Sequence, residues 1–197
     1  GDILLQERFL IGEDETAGEV HDRMKEIGAQ LLVKTVQGLA DGSLQPVPQE
    51  TISHSTDPEP NPVNLQPSSF NFQPSTAHQY PHAPKIFTDT CRINTTQTVQ
   101  DVHNLIRGLS PFPGAFTVLQ GKMLKVFRSS RDCCLPAAGE RMLAEPGEGV
   151  PVYFTDEKNY LHLACADGRL SLRELQLEGK KKMAVADFLR GYRFAAG

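Results

Sequence analysis

The chain has 197 residues, of which 39% are hydrophobic and 22% charged, so it can form one moderate domain or a domain with an appendage. No apolar run approaches the ~20 residues of a membrane span, and no basic-then-apolar signal segment opens the chain, so we expect a cytoplasmic protein. The net charge of −4 excludes a uniformly basic chain, yet residues 85–197 carry sixteen basic and twelve acidic side chains. That part is therefore the candidate for contact with a polyanion.

Residues 1–42 predict one strand and one long helix. Ile3 to Leu5 form an apolar run that is typical of a strand buried in a larger sheet. The helix is predicted over residues 16–40, with Thr16 as its N-cap and Glu19 as the capping-box partner. An apolar stripe lies along it, formed by Val20, Met24, Ile27, Leu31, Val36 and Leu39. These two elements either dock on the rest of the chain or form the last β-α unit of an α/β domain.

Residues 43–84 are predicted to be a linker. They hold nine of the fourteen prolines of the chain and almost no charge, so they bury too little apolar surface for a core. The histidines in this stretch have few carboxylate partners nearby, and we predict that they bind no metal. They are His54, His78 and His82.

The cysteines show no CxxC spacing, and two of them are neighbours in the sequence, which is a poor geometry for a structural disulfide between them. They are Cys91, Cys133, Cys134 and Cys165. We therefore predict that all four are reduced thiols, with neither a disulfide nor a zinc site.

Residues 99–109 predict an amphipathic helix, which a Pro-rich turn and a β-hairpin follow. One face of the helix is apolar, and Thr98 with Asp101 forms a capping pair at its start. The turn at residues 111–114 ends the helix, because proline cannot continue the backbone hydrogen bonds. Strands are then predicted over residues 116–119 and 122–128, around a turn at Gln120-Gly121.

The remainder of the chain predicts further antiparallel strands. Residues 129–149 look irregular, and strands are expected over 150–155, 160–166 and 169–177. Their turns lie at residues 156–159 and at Asp167-Gly168, and a short helix over residues 184–189 closes the chain. Several short strands at this spacing favour a small barrel over a sandwich.

Several of these segments together resemble the bacterial methionyl-tRNA formyltransferases. The segments are GDILLQ, DETAGEVHDRMKEIGAQLLVKTVQGLADG, APKI, VHNLIRGLSPFPGAFT, DGRLSLRELQLEGKKKM and DFLRG. The resemblance implies a mainly β fold, with an OB-like open β-barrel over residues 85–197 and the helix packed on it. It also implies that residues 1–42 are the C-terminal remnant of a Rossmann-like formyltransferase domain, and that residues 43–84 join the two.

The resemblance further implies transfer of a formyl group from 10-formyltetrahydrofolate to the amino group of initiator methionyl-tRNA. An Asn, a His and an Asp act on the tetrahedral intermediate in this family. The motif with the Asn and His is not in this chain, and Asp2 matches the second aspartate of an Asp-Thr-Gly-Asp stretch rather than the catalytic one. We therefore predict a monomeric fragment that binds tRNA, with no catalytic residue, folate site or metal of its own.

Nine basic residues are predicted to contact the tRNA. Three form a run beside a glycine, three share the hairpin with apolar residues, two lie where the linker meets the barrel, and Arg107 is as well suited to a structural ion pair. They are Lys85, Arg92, Arg107, Lys122, Lys125, Arg128, Lys180, Lys181 and Lys182. Because Phe112, Phe116 and Phe127 are expected in the core, we predict recognition through phosphates and shape rather than through bases.

Two other functions stay open. The barrel could belong to a formyltransferase or hydrolase that acts on a small molecule, such as a sugar nucleotide or the formyl-folate. It could also be a structural appendage that only positions another domain. Residues 85–131, with seven basic and two acidic side chains, favour tRNA.

Overall fold

The computed structural model describes residues 1–48, 84–132, 139–144 and 151–194. Contacts divide the chain into two units, one formed by residues 1–8 and 27–85 and the other by residues 9–26 and 86–197. The predictions for the linker histidines and for Cys133 and Cys134 lie outside the described residues. Cys91 is buried, and its thiol donates to the Phe87 carbonyl at 3.4 Å.

The second unit is built on one antiparallel sheet, curled into an open half-barrel. Its strands lie in the order β1-β2-β6-β5-β4-β3, and β7 pairs with β6. They are β1 (Ala115–Leu119), β2 (Lys122–Ser130), β3 (Arg141–Ala144), β4 (Val152–Thr155), β5 (Leu161–Cys165), β6 (Gly168–Leu177) and β7 (Met183–Ala184). The predicted mainly β, barrel-like fold is confirmed.

Two hairpins set the register of the sheet. Gln120 and Gly121 have φ of 48° and 74° in the turn between β1 and β2, and Leu119 pairs with Lys122 as predicted. The hairpin between β5 and β6 is also present, but its turn residues are Ala166 and Asp167. The sequence prediction was off by one residue here, because Gly168 already pairs with Cys165 as the first residue of β6.

A bulge in β2 bends the strand over the core. The register with β6 shifts on either side of Arg128, and Val126 and Phe127 are both buried although they are adjacent. A bulge of this kind increases local twist, which allows the sheet to curl around one apolar interior. The largest buried side chains of that interior include Tyr153, Leu161 and Leu170.

Helix α2 (Val99–Leu109) packs on the sheet, mainly against β2 and β6. Its bounds agree with the prediction, and the backbone N–H of Asp101 donates to the Thr98 hydroxyl at 3.1 Å. Val102 and Ile106 are fully buried against the sheet. The Pro-rich turn that follows contains cis peptide bonds before Pro111 and Pro113. Helix α3 (Val185–Gly191) follows β7, close to the prediction.

Helix α1 (Ala17–Ala40) is shared by the two units, and its predicted capping box is present. The Thr16 N–H donates to the Glu19 carboxylate at 2.9 Å, and the Glu19 N–H donates to the Thr16 hydroxyl at 3.4 Å. The predicted apolar stripe of this helix is largely exposed within the described residues, where Met24, Val36 and Leu39 are half exposed or more.

The prediction of a strand at residues 3–5 was wrong for the part of the chain that the structure describes. Ile3 forms one isolated antiparallel bridge, with backbone hydrogen bonds to Val47 of 2.8 and 2.9 Å. An apolar run forms a strand only where several consecutive residues pair with a neighbouring segment, and in the described residues only Ile3 of this run pairs, with Val47.

The region at residues 129–149, which the sequence predicts to be irregular, contains two regular pieces. Strand β2 continues to Ser130, and β3 pairs with β4 from Arg141 to Ala144. Four residues are too few for an alternating pattern to stand out, so only pairing with a partner identifies β3. No helix in the described ranges combines the length and apolarity needed to cross a membrane.

Candidate nucleic-acid interface

Basic residues converge at one end of the pair formed by β2 and β6. Because these strands are antiparallel, the start of β2 lies beside the end of β6, and the Glu178 N–H donates to the Met123 carbonyl at 2.9 Å. This pairing places the predicted residues Lys122, Lys180 and Lys181 on two neighbouring turns. All three are exposed, and we call them the basic end.

Two further predicted residues lie on a lateral row that crosses the outer face of the sheet. Arg92 forms a bridge with Phe116, Phe116 pairs with Lys125, and Lys125 pairs with Gln176. Paired residues on neighbouring strands share one face, so this row is continuous. Lys125 is half-buried, and its amine donates to the Pro113 carbonyl at 3.2 Å.

Arg128 and Lys182 are engaged in ion pairs. The Arg128 guanidinium lies 2.5 Å from the Glu19 carboxylate, and the Lys182 amine lies 2.7 Å from that of Glu174. Lys182 also lies over the Phe127 ring, 5.0 Å from its centroid. Hydrogen bonds from Thr16 and then from Arg128 lower the pKa of Glu19 to about 2, so this carboxylate stays charged opposite Arg128.

Arg107 binds the segment at residues 9–19, which we call the N-terminal arm. Its guanidinium donates to the backbone carbonyls of Gly12 and Glu15, both at 3.3 Å. Arg131, which the sequence analysis did not select, forms a short ion pair with Glu13 of the same arm. These arginines therefore hold the arm against α2 and β2, which favours the structural alternative for Arg107.

The structure therefore divides the nine predicted residues. Lys122, Lys180 and Lys181 form the basic end, and Arg92 and Lys125 lie on the outer row, where the Lys125 amine binds the Pro113 carbonyl. Arg107, Arg128 and Lys182 contact acidic or carbonyl groups of the protein itself. Lys85 is exposed and belongs to the first unit.

An apolar groove that the sequence did not predict adjoins this row. Its volume is 580 Å³, and Phe87, Phe112, Phe116, Met123 and Lys125 are among its lining residues. Phe112 is 87% exposed, so the prediction that it lies in the core was wrong, whereas Phe127 is buried and Phe116 packs partly against the core. A phenylalanine between two prolines in a turn has no strand face to bury it, and that local signal indicates exposure.

The described residues contain no group of three or more His, Cys, Asp or Glu side chains that could hold a metal ion. His103, on α2, is buried and lies 2.9 Å from the Ser129 hydroxyl and 3.1 Å from the Asp14 carboxylate of the arm. Burial lowers the pKa of His103 and is the largest influence on it, whereas the negative charge of Asp14 acts in the opposite direction and raises this pKa. This histidine joins three elements rather than facing a solvent-filled cleft.

The sheet, α2 and the basic turns together match a known domain. The family model described as formyl transferase, C-terminal domain, matches residues 85–193, which is more than half of the chain. The chain belongs to the formyltransferase family. This confirms the resemblance drawn from the sequence segments.

Relatives in the formyltransferase family match almost the whole chain. It is 35% identical to methionyl-tRNA formyltransferase of Phocaeicola vulgatus, over 98% of this chain and 52% of the relative. It is also 35% identical to methionyl-tRNA formyltransferase of Lachnospira eligens, over 100% of this chain and 53% of the relative. The chain thus spans about half the length of the curated relatives that it matches.

Solved structures share the fold at low identity. A variant of HypX from Aquifex aeolicus matches with a TM-score of 0.57 and 16% identity, over 97% of this chain and 28% of that protein. HypX in complex with tetrahydrofolic acid matches with a TM-score of 0.54 and 15% identity, over 96% of this chain and 27% of that protein. At such identities the likeness concerns the fold alone.

Proposed function

We propose that this chain supplies tRNA binding to a methionyl-tRNA formyltransferase. That enzyme would transfer a formyl group from 10-formyltetrahydrofolate to the amino group of initiator methionyl-tRNA in the cytoplasm. The names of the relatives support the reaction, and the complex of HypX with tetrahydrofolic acid supports a folate donor. The observation that carries the binding role is the convergence of Lys122, Lys180 and Lys181 at one end of the sheet.

The binding is proposed to act mainly through phosphates. Exposed amines on two adjacent turns offer mobile positive charge, which neutralises phosphates and releases condensed counterions. Lys180 and Lys181 belong to the second turn, where Gly179 has φ of 74° and the Lys180 N–H donates to the Leu177 carbonyl at 2.8 Å. This turn keeps its backbone fixed while the side chains reach outward, which suits contact with an irregular polyanion.

The chain by itself is not expected to catalyse the reaction. The Asn-His motif of the family is not in the sequence, and Asp2 does not match its catalytic aspartate. We therefore expect the purified chain, free of host enzyme, to show no formylation of methionyl-tRNA with 10-formyltetrahydrofolate. Measurable formylation would place a catalytic group within these 197 residues.

A salt titration tests the binding role. We expect wild-type protein to bind tRNA weakly as a monomer, with a log-log salt slope of about −2 to −4 if it makes three to five phosphate contacts. Changing Lys122, Lys180 and Lys181 together to alanine should weaken binding and flatten the slope by about 2. The thermal stability of this triple variant should equal that of the wild type, because exposed lysines contribute little to folding.

Two variants control this experiment. Lys34→Ala removes an exposed lysine of α1 and should leave the affinity and the slope unchanged. Lys182→Ala should weaken binding less than loss of the basic end, because Glu174 already neutralises Lys182. If the salt slope of the triple variant equals that of the wild type, tRNA binds to another surface. Absence of any tRNA binding by the wild type at low salt would instead favour the small-molecule alternative.

A further inference from the structure

We propose that the apolar groove beside Lys125 binds one unpaired base of an RNA, which stacks on the Phe112 ring while its flanking phosphates face the basic end. This inference rests on the proposed function, because it names what the groove adds to phosphate contact. It departs from the sequence prediction of recognition through phosphates and shape alone.

The groove has the volume and the apolar lining of a small-ligand site. Its volume of 580 Å³ lies within the ~300–1,000 Å³ of small-ligand pockets. Phe112 is 87% exposed and Phe87 is 61% exposed, so both present ring faces or edges to solvent. Met123 and Phe116 belong to the paired strands β1 and β2 and supply a fixed apolar floor.

The Phe112 side chain is too exposed to contribute much to folding. A phenylalanine gains stability by burial, and one that leaves most of its surface in water contributes little to the core. Phe112 lies between Pro111 and Pro113, and the Gly114 that follows has φ of 85°, which other residues rarely adopt. The turn therefore presents an exposed aromatic side chain at the groove, as stacking platforms for single-stranded nucleic acid do.

The charges around the groove select a nucleotide over an apolar peptide. The lining includes Lys125 and no acidic side chain. Arg92 pairs with the lining residue Phe116, and Lys122 directly precedes the lining residue Met123, so two further basic residues adjoin lining positions. A smaller recess continues from Met123 and Lys125 toward Gln176 and Glu178, on the side of the basic end. An aromatic face next to exposed amines fits a base joined to phosphates.

The absence of tryptophan from the chain allows a direct optical test. Phe112→Trp in the full chain places a single tryptophan at the groove, and excitation at the red edge of the absorption band selects it over the four tyrosines. A twelve-nucleotide single-stranded RNA of mixed sequence should quench its emission, and the quenching should saturate together with binding measured by anisotropy. The same strand in a duplex should bind through phosphates with little quenching, because its bases are not free to stack.

Affinity measurements on matched variants complete the test. Phe112→Ala should weaken binding of the single strand by about 5-fold or more, because it removes the stacking ring. Phe112→Leu should also weaken binding, because leucine retains apolar surface but has no π face. Met142→Ala changes a side chain on β3 that is 63% exposed and not among the groove residues, and should leave binding unchanged. Since Phe112 is exposed, all three variants should unfold at the wild-type temperature.

The outcomes separate this inference from the proposed function. If wild-type protein binds tRNA with the expected salt slope, but Phe112→Ala binds the single strand as well as wild type and Phe112→Trp is not quenched, the groove proposal is wrong and phosphate binding stands. If wild-type protein sediments as a dimer and Phe112→Ala as a monomer, the groove joins two copies, which also overturns it. If wild-type protein binds neither tRNA nor the single strand at low salt, both proposals fail.

Discussion

Gly18 allows the start of α1 to contact the Pro-rich turn. Its N–H donates to the Ser110 carbonyl at 2.9 Å, and a Cβ at this position would lie 2.5 Å from the Pro111 Cδ. Glycine is a poor helix former, so its presence in the first turn of α1 costs about 1 kcal/mol relative to alanine. The close approach of the Pro111 ring is the physical reason that the position needs a residue without a side chain.

Gly18→Ala should destabilise the protein by about 1–3 kcal/mol, because the clash with Pro111 outweighs the gain in helix propensity. Gly28→Ala is the matched control in the same helix, since nothing lies within 4 Å of a Cβ there. It should stabilise the protein by up to ~1 kcal/mol. Urea denaturation measures both, and equal stabilisation by the two substitutions would contradict the close packing at Gly18.

At the scale of elements, the N-terminal arm and the first turn of α1 are bound to the sheet by polar contacts. Arg107 and Arg131 hold the arm, and Arg128 of β2 binds the capping-box carboxylate of Glu19. The pairing of Arg128 with Glu19 links the cap to the sheet, so a residue that begins the helix also positions it. The predicted RNA-binding role of Arg128 and Arg107 competes with this structural one.

Thr16→Ala should remove the N-cap and cost about 1 kcal/mol, within the 0.5–2 kcal/mol typical of such caps. Hydrogen exchange of the backbone amides at residues 17–20 should accelerate, because two of the capping hydrogen bonds use the threonine hydroxyl. Thr35→Ala controls for the loss of a threonine from the same helix, where the hydroxyl only donates to the Leu31 carbonyl. It should be neutral or slightly stabilising, and equal losses in both variants would exclude a capping role.

At the scale of the whole molecule, two buried histidines make stability depend on pH. His103 lies between α2, β2 and the arm, and His162 lies in β5, stacked on Tyr160 with ring centroids 4.4 Å apart. Neither ring nitrogen of His162 has a hydrogen-bond partner among the described residues. Burial lowers the pKa of both histidines in the folded protein, whereas in the unfolded chain each titrates near ~6.5.

Stability should therefore fall as the pH drops from 7.5 to 5.5. Below ~6.5 the unfolded chain binds protons that the folded protein excludes, so unfolding becomes more favourable by up to ~1.4 kcal/mol per pH unit and histidine. Melting temperatures of wild-type, His103→Gln, His162→Phe and the double variant check this. Each single change should reduce the pH dependence of the melting temperature, and the double change should reduce it most. If the melting temperature of the double variant depends on pH as that of the wild type does, other groups are responsible.

Local sequence signals were enough to predict α2, the β1–β2 hairpin and the family. The bounds of α2 follow from the Thr98 cap and the Pro-rich turn, and the β1–β2 hairpin follows from Gln120-Gly121, because capping and turn geometry depend on residues adjacent in the chain. Tertiary structure decided which basic residues stay available. The pairing of β2 with β6 places the start of β2, with Lys122, beside the end of β6, which Lys180 follows, and the arm and the sheet engage Arg107, Arg128 and Lys182. Ion pairs and the pairing of distant strands depend on residues far apart in sequence, so periodicity and composition do not encode them.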